Sequence, residues 1–458
     1  MLETDKDQMV RAINKQRSFF ASHRTKSIEF RSEQLLQLKS GILKYQDKIA
    51  AALWADLHKS PEEAFLTEIS IVSSEIDNHL RHLKKWAKAK RVTTPLHLWP
   101  SSGKIVYEPL GCALIIAPWN YPFQLLFNPL IGAISAGCCS ILKPSPETPH
   151  VAAVITEMVA ELFDPAYVTI INGGINTNTH LLKERFDVIF FTGSTAVGKI
   201  IMKAAAEHLT PVVLELGGKS PCIVDADANI AVAAKRIALG KLINAGQTCI
   251  APDYVFAHAT IKDQLIEQLA LQFRTLYGED AQKSRFYPRI IHERAFNRLV
   301  GLMQKGTVVA GGTSDVSDCY IAPTIVDNVA TTDPIMQEEI FGPILPVLTF
   351  EQIDEVLTYI EQNEKPLALY YFGNTATARE VIGKTIAGGT CINDTLMQIV
   401  NHHLPFGGVG NSGQGRYHGR ESFLAFSHQR GVVSTPTWLD LPFKYPPFRY
   451  FKWIKKLL

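Results

Sequence analysis

The sequence predicts an α/β protein built on a parallel, doubly wound sheet. Short apolar runs alternate with helix-length segments from about residue 110 onward. Runs such as Cys112 to Ala117 are apolar throughout, as a strand buried on both faces is. At 458 residues the chain exceeds one core and should divide into two or three domains.

The first 90 residues read as helices. From Glu33 to Leu38 apolar side chains recur at intervals of three and four, and the pattern continues through Ile49 to Leu53. Asp56 to Pro61 breaks it, and Ala64 to Trp86 shows a second amphipathic pattern. Cys112 to Ala117 is then a strand, and a helix is expected from about Pro122 to Ala136. Ser140 to Leu142, Tyr167 to Ile171 and Asp187 to Phe191 are further strands. A second alternation begins at Pro211: Val212 to Leu216, Cys222 to Val224, then a helix from about Asn229 to Leu242. The domain border is placed near Pro211, giving segments 1–210, 211–396 and a returning segment 397–458. A doubly wound sheet places its ligand beyond the carboxyl ends of its strands.

Composition excludes several function classes. A net charge of +2 gives no electrostatic reason to expect nucleic acid. Seven cysteines without a disulfide spacing, behind a polar N-terminus, suit a reducing cytoplasm. Scattered histidines and the Cys138-Cys139 pair form no zinc-ligand pattern, so no metal is expected. Pro109 to Leu142 carries no charge, yet Pro118, Asn120, Pro122, Asn128 and Pro129 argue for a buried strand and helix rather than a membrane span. The tail, Phe443 to Leu458, holds five basic and no acidic residues among aromatics. It could lie on an anionic membrane surface, and a solvated or packed tail is preferred.

The chemistry is concentrated in short motifs. Cys249 sits in Asn244-Ala245-Gly246-Gln247-Thr248-Cys249-Ile250, where small neighbours leave room for a substrate. Glu215 lies in the apolar run Val212 to Leu216 ahead of Gly217-Gly218. Burial there raises a carboxylate's pKa towards that of a general base. A thiol and such a base are the two protein groups needed to oxidise an aldehyde through a thioester, given a hydride acceptor. Gly193, Ser194, Thr195, Ala196, Val197 and Gly198 join a strand to a helix whose N-terminal N–H groups suit a pyrophosphate. Lys143 ends the second strand, in Lys143-Pro144-Ser145.

These motifs, with Asn120 in Pro118-Trp119-Asn120-Tyr121-Pro122 and with Glu338-Glu339-Ile340-Phe341-Gly342-Pro343, strongly resemble the aldehyde dehydrogenase superfamily. The likeness runs from about Ala21 to Pro447. It is strongest to the class 3 group, through Arg31 to Leu38, Ala64 to Ile69, Leu404 to Gly410, Arg416-Tyr417-His418-Gly419 and Tyr445-Pro446-Pro447. The resemblance implies a Rossmann-like cofactor domain, an α/β catalytic domain, and a small β arm from residues 84–107 and a segment after 397. The arm implies a homodimer.

In that family Cys249 would be the nucleophile, Glu215 the base, and Asn120 a donor to the oxyanion. Lys143 would meet the adenosine ribose, Glu339 the nicotinamide ribose, and Phe341 the nicotinamide ring. Relatives that prefer NAD place a glutamate three residues after the lysine, where this chain has Pro146. NAD is therefore expected, with NADP tolerated. Tyr121 and Phe406, with Trp119 and Phe123, suggest an aromatic entrance suited to medium or long aliphatic or aromatic aldehydes. Two alternatives stand beside this reading: a CoA-acylating relative, which commonly lacks the glutamate, and a catalytically silent binding homologue.

Overall fold

Polar caps start the helical N-terminal region. Asp5 accepts from the Asp7 and Gln8 N–H groups to open α1 (Lys6–Ala21), and Ser27 accepts from Phe30 N to open α2 (Ile28–Leu57). Leu35, Leu38, Ile42, Ile49 and Leu53 form the buried stripe of α2, at the spacing read from the sequence. His58 closes that helix in the left-handed region, at φ 54°. A single π-helical turn, Phe65–Ile69, precedes α3 (Ser70–Trp86) and turns Glu68 and Ile69 inward. The structure, a computed structural model, describes residues 3–440, 442, 445–448, 450–452 and 455. Half of the basic, aromatic tail expected over Phe443 to Leu458 therefore lies outside the described residues.

The next strands, β1 (Lys90–Val92) and β2 (Ser102–Pro109), join Ser427–Ser434 in a three-stranded antiparallel sheet. This sheet occupies the place expected of the arm. The chain then lays down β3 (Cys112–Ile116), β4 (Cys139–Lys143), β5 (Val168–Ile170), β6 (Val188–Thr192) and β7 (Val212–Glu215). They form a parallel sheet in the order β7-β6-β3-β4-β5, and Gly413–Gln414 adds antiparallel to β7. Helix α4 (Gln124–Ala136) between β3 and β4 is buried along its whole length. Its burial accounts for the uncharged stretch from Pro109 to Leu142. Among the described residues no helix is long and apolar enough to cross a membrane.

A seven-stranded sheet follows, with Pro221–Val224 and Tyr254–His258 near its centre. Its strands are parallel except for the edge strand Thr307–Ala310. The border expected near Pro211 is thus corrected. β7 pairs in parallel with β6, so the first sheet runs on to Glu215 and the second begins at Pro221. An apolar run of four residues fits either sheet, and only its long-range partner decides which one it joins.

Candidate active site

Glu215 ends β7 at the carboxyl edge of the first sheet, beside Thr192, its partner in register on β6. It is 3% exposed, and neither carboxylate oxygen has a hydrogen-bond partner among the described residues. Burial pushes it well above the usual carboxylate range. Lys219, four residues further on, turns away from it to Asp253 and to the Ile335 and Glu338 carbonyls.

Cys249 follows α6 (Ile230–Leu242) after a turn in which Asn244 and Ala245 both take left-handed angles, φ 52° and 50°. Such a turn is costly for non-glycine residues unless its surroundings enforce it. Here the Asn244 N–H donates to Glu63 Oε1 at 2.8 Å. Gln247 Nε2 donates to the Asn244 and Arg289 carbonyls, each at 3.0 Å, and its Oε1 accepts from Ile291 N. The cysteine is half-buried. Burial, then the Glu339 and Glu215 carboxylates, push its thiol up. The protein surroundings alone therefore hold Cys249 as a thiol.

Asn120 comes from the turn between β3 and α4. Its side-chain Nδ2 donates to Gln247 O at 2.9 Å, and its own carbonyl accepts from Asn244 Nδ2 at 2.8 Å. The two loops that carry Asn120 and Cys249 are thereby stitched together, although residue 120 and residue 249 lie in separate halves of the chain.

Two cavities meet at these residues. One, of about 200 Å³, is almost wholly apolar, with Leu66, Ile71, Met397, Ile399 and Val400 in its wall. Tyr121 and Phe406 line it as expected. The other, of about 330 Å³, is lined by Asn120, Gly193, Ser194, Arg298, Glu339 and Phe341. Thr192, Glu215, Leu125 and Cys249 belong to both. Trp119 faces the second cavity, its ring 5.4 Å from that of Phe341 and perpendicular to it. Phe123, read as an entrance residue, is instead fully buried against Phe127. Phe123 immediately precedes α4, whose buried face claims it.

The second cavity opens at a helix N-terminus, a setting that suits a phosphate-bearing ligand. Ser194 caps α5 (Thr195–Ala206), accepting from Val197 N, and so directs the helix N-terminus at the carboxyl edge of the sheet. Gly198 lies where a Cβ would strike Leu216, which lets α5 sit close to the sheet. Ala196 and Val197 complete its first turn, and the Thr195 hydroxyl is taken by Asn411 O. Burial pushes Glu339 up to about 8. A Cβ at position 217 would overlap its carboxylate and force it to move. Lys143 is outside this lining. It is buried at the end of β4, donates to Pro144 O at 2.9 Å, and is lowered to about 8 by burial.

Sequence reasoning missed two hydroxyls. Thr192 Oγ1 and Tyr417 OH are buried without partners among the described residues, and both line the apolar cavity beside Glu215. Neither was given a role, although Tyr417 lies in the Arg416-Tyr417-His418-Gly419 motif. Their signal is positional: Thr192 directly precedes Gly193, and Tyr417 precedes His418-Gly419. Elsewhere, Glu75, His402 and His418 place ligand-type atoms within 4.8 Å of one another. The Glu75 oxygens there already accept from His79, His402 and the Gly419 N–H.

A thiol, an unpartnered carboxylate and an amide donor at the junction of an apolar cavity and a second, more polar one are the arrangement that the sequence motifs anticipate. Residues 1–432 match the aldehyde dehydrogenase family. The chain belongs to this family. It is 49% identical over 443 residues to the 4,4'-diaponeurosporen-aldehyde dehydrogenase of Staphylococcus aureus, covering 96% of each chain. It is 44% identical over 438 residues to the dimeric NADP-preferring aldehyde dehydrogenase of Canis lupus familiaris, covering 95% of this chain and 97% of that one. A solved structure described as the substrate-bound state of Staphylococcus aureus AldH superposes with a TM-score of 0.96 at 47% identity, covering 98% of this chain and 99% of its own. The class 3 likeness holds too, since relatives 44% identical are named as family 3 members. Aldehyde dehydrogenases oxidise aldehydes with NAD or NADP, and this chain carries their fold throughout.

Proposed function

We propose that the protein oxidises medium- or long-chain aliphatic or aromatic aldehydes to carboxylic acids, with Cys249, Glu215 and Asn120 as the catalytic residues. The observation that carries this reading is the meeting of the apolar cavity with the second, more polar one at Cys249 and Glu215. The aldehyde tail would lie among Leu66, Ile71, Met397, Ile399 and Val400, with Tyr121 and Phe406, where apolar surface leaves water.

The unpartnered Glu215 carboxylate is the base on hand for the Cys249 proton. The thiolate adds to the carbonyl carbon, and the oxyanion takes hydrogen bonds from Asn120 Nδ2 and the Cys249 N–H. Gly193 to Gly198, Lys143, Glu339 and Phe341 would hold a nicotinamide dinucleotide, which when bound supplies the hydride acceptor. Loss of hydride leaves a thioester on Cys249. Glu215 passes the first proton to solvent, then takes one from the water that attacks the thioester and returns it to the leaving sulfur, releasing the acid and the thiol.

We read the cofactor as NAD with NADP accepted. Pro146 stands where a carboxylate would repel a 2′-phosphate, and buried Lys143 is a cation close by in sequence. The protein is taken to act as a homodimer through its three-stranded arm, as the canine relative's name describes that protein.

Steady-state rates for aldehydes of increasing chain length, each with NAD and NADP, test the proposal. The expected result is kcat/KM rising with chain length and both cofactors used within about a hundredfold, a gap of some 3 kcal/mol. Flat or falling kcat/KM with length overturns the substrate class, and a wider gap overturns dual use.

A further inference from the structure

The π-helical turn Phe65–Ile69 supports more than the cavity wall. Leu66 and Thr67 face the apolar cavity, while Glu68 turns the other way into complete burial. There Glu68 Oε1 meets Lys59 Nζ at 2.6 Å, and both side chains are fully shielded from water. A buried ion pair is an expensive way to gain stability, because desolvating two charges offsets most of their attraction. The remaining valences of this pair show what else it holds.

Every further contact runs to one turn. Lys59 Nζ also donates to the Asn120 carbonyl at 3.2 Å and stands 4.2 Å over the Tyr121 ring. Glu68 Oε2 accepts from Phe123 N at 2.9 Å and Gln124 N at 3.1 Å, the open N–H groups where α4 starts. Both ends of the segment from Asn120 to Gln124 are thus tied to the same two charges. Asn244 supplies the only other side-chain contact to the Asn120 carbonyl among the described residues. With the backbone fixed, Asn120 Nδ2 spends one N–H on Gln247 O and keeps the second for the cavity it lines.

We propose that Lys59 and Glu68 are positioning residues for the oxyanion donor: the pair sets the turn that aims the Asn120 amide at the carbonyl oxygen. This rests on the reading of Asn120 given above. Neither residue touches substrate, and both act through Asn120.

A double-mutant cycle between Glu68→Gln and Asn120→Ala, followed by the single-turnover rate of reduced cofactor formation, tests it. Glu68→Gln keeps the shape of the side chain but removes its charge. We expect it to slow acylation about 10- to 100-fold, with aldehyde KM within about threefold and the rate of iodoacetamide reaction at Cys249 unchanged. In the Asn120→Ala background the same substitution should cost less than about threefold. An equal loss in both backgrounds assigns the pair a general structural role and overturns the proposal. Should Glu68→Gln not fold, Lys59→Met/Glu68→Met replaces the pair by apolar groups of similar size, and the same non-additivity is required of it. Wild-type rates in either variant overturn the proposal as well. Failure of the underlying reading shows separately, as wild-type rates in Asn120→Ala alone, and the proposal falls with it.

Discussion

The two cavities that share Cys249 and Glu215 are built on opposite plans. The apolar one draws its wall from far-apart pieces of chain: the π-turn, the start of α4 and the segment from Leu396 to Tyr417. The polar one is built from the carboxyl edge of the first sheet and the loop around Glu339. One wall is made of interchangeable aliphatic groups, while the other depends on an amide, a carboxylate and a helix N-terminus at set places. The contrast teaches where change is tolerated. Hydrophobic contact is non-directional, so the apolar wall can drift with the substrate, whereas hydrogen-bond geometry restricts the polar one.

The shared residues should show the largest effects. Cys249→Ala removes the proposed nucleophile, which both cavities share, and is expected to lower aldehyde oxidation by roughly 10⁴-fold or more, read as reduced cofactor formed at saturating aldehyde. Glu215→Gln should slow thioester release by roughly 10²- to 10⁴-fold. Its pH dependence carries the sign: Glu215 has a raised pKa, so wild-type turnover should fall as pH drops through that value, and the variant should lose this acid limb. A smaller effect belongs to the apolar wall alone. Val400→Trp should cut kcat/KM for long-chain aldehydes by about 10-fold and spare short ones, because it fills volume without touching a reacting atom. If short and long substrates suffer alike, the two cavities are not separable in function.

The smallest effect is on stability. A buried carboxylate with a raised pKa favours the folded state only while protonated. Its contribution is fully present below the unfolded-state pKa of about 4.3 and is lost as pH rises through the folded-state value. Glu215→Gln should therefore raise the Tm at pH 8, with the gain shrinking towards pH 4.5. Thermal unfolding at both pH values checks it.

How much of this was legible in the sequence follows the same division. Cys249, Glu215 and Asn120 sit in short motifs whose residue types are dictated by chemistry, and they converge on one site as read. The strands of the first sheet were recognisable as apolar runs of the right length. The allocation of Val212–Glu215 to that sheet was not, because its partners at Val188–Thr192 and Gly413–Gln414 are long-range choices. Phe123 was misread for a related reason, since an aromatic side chain before a helix looks the same whether it faces a cavity or a core. Lys59 and Glu68 were given no role, because nothing in the local pattern marks a charge near a helix break as buried. Only the π-turn, which shifts the register of the residues after it, buries the glutamate.

The strand Gly413–Gln414 has a consequence for synthesis on the ribosome. It covers the outer edge of β7, the strand that ends in Glu215. Until that segment leaves the exit tunnel, the nascent first sheet presents an open, apolar edge, and the substrate chamber lacks Phe406 and Tyr417. The cavity at Cys249 is thus among the last parts of the molecule to close.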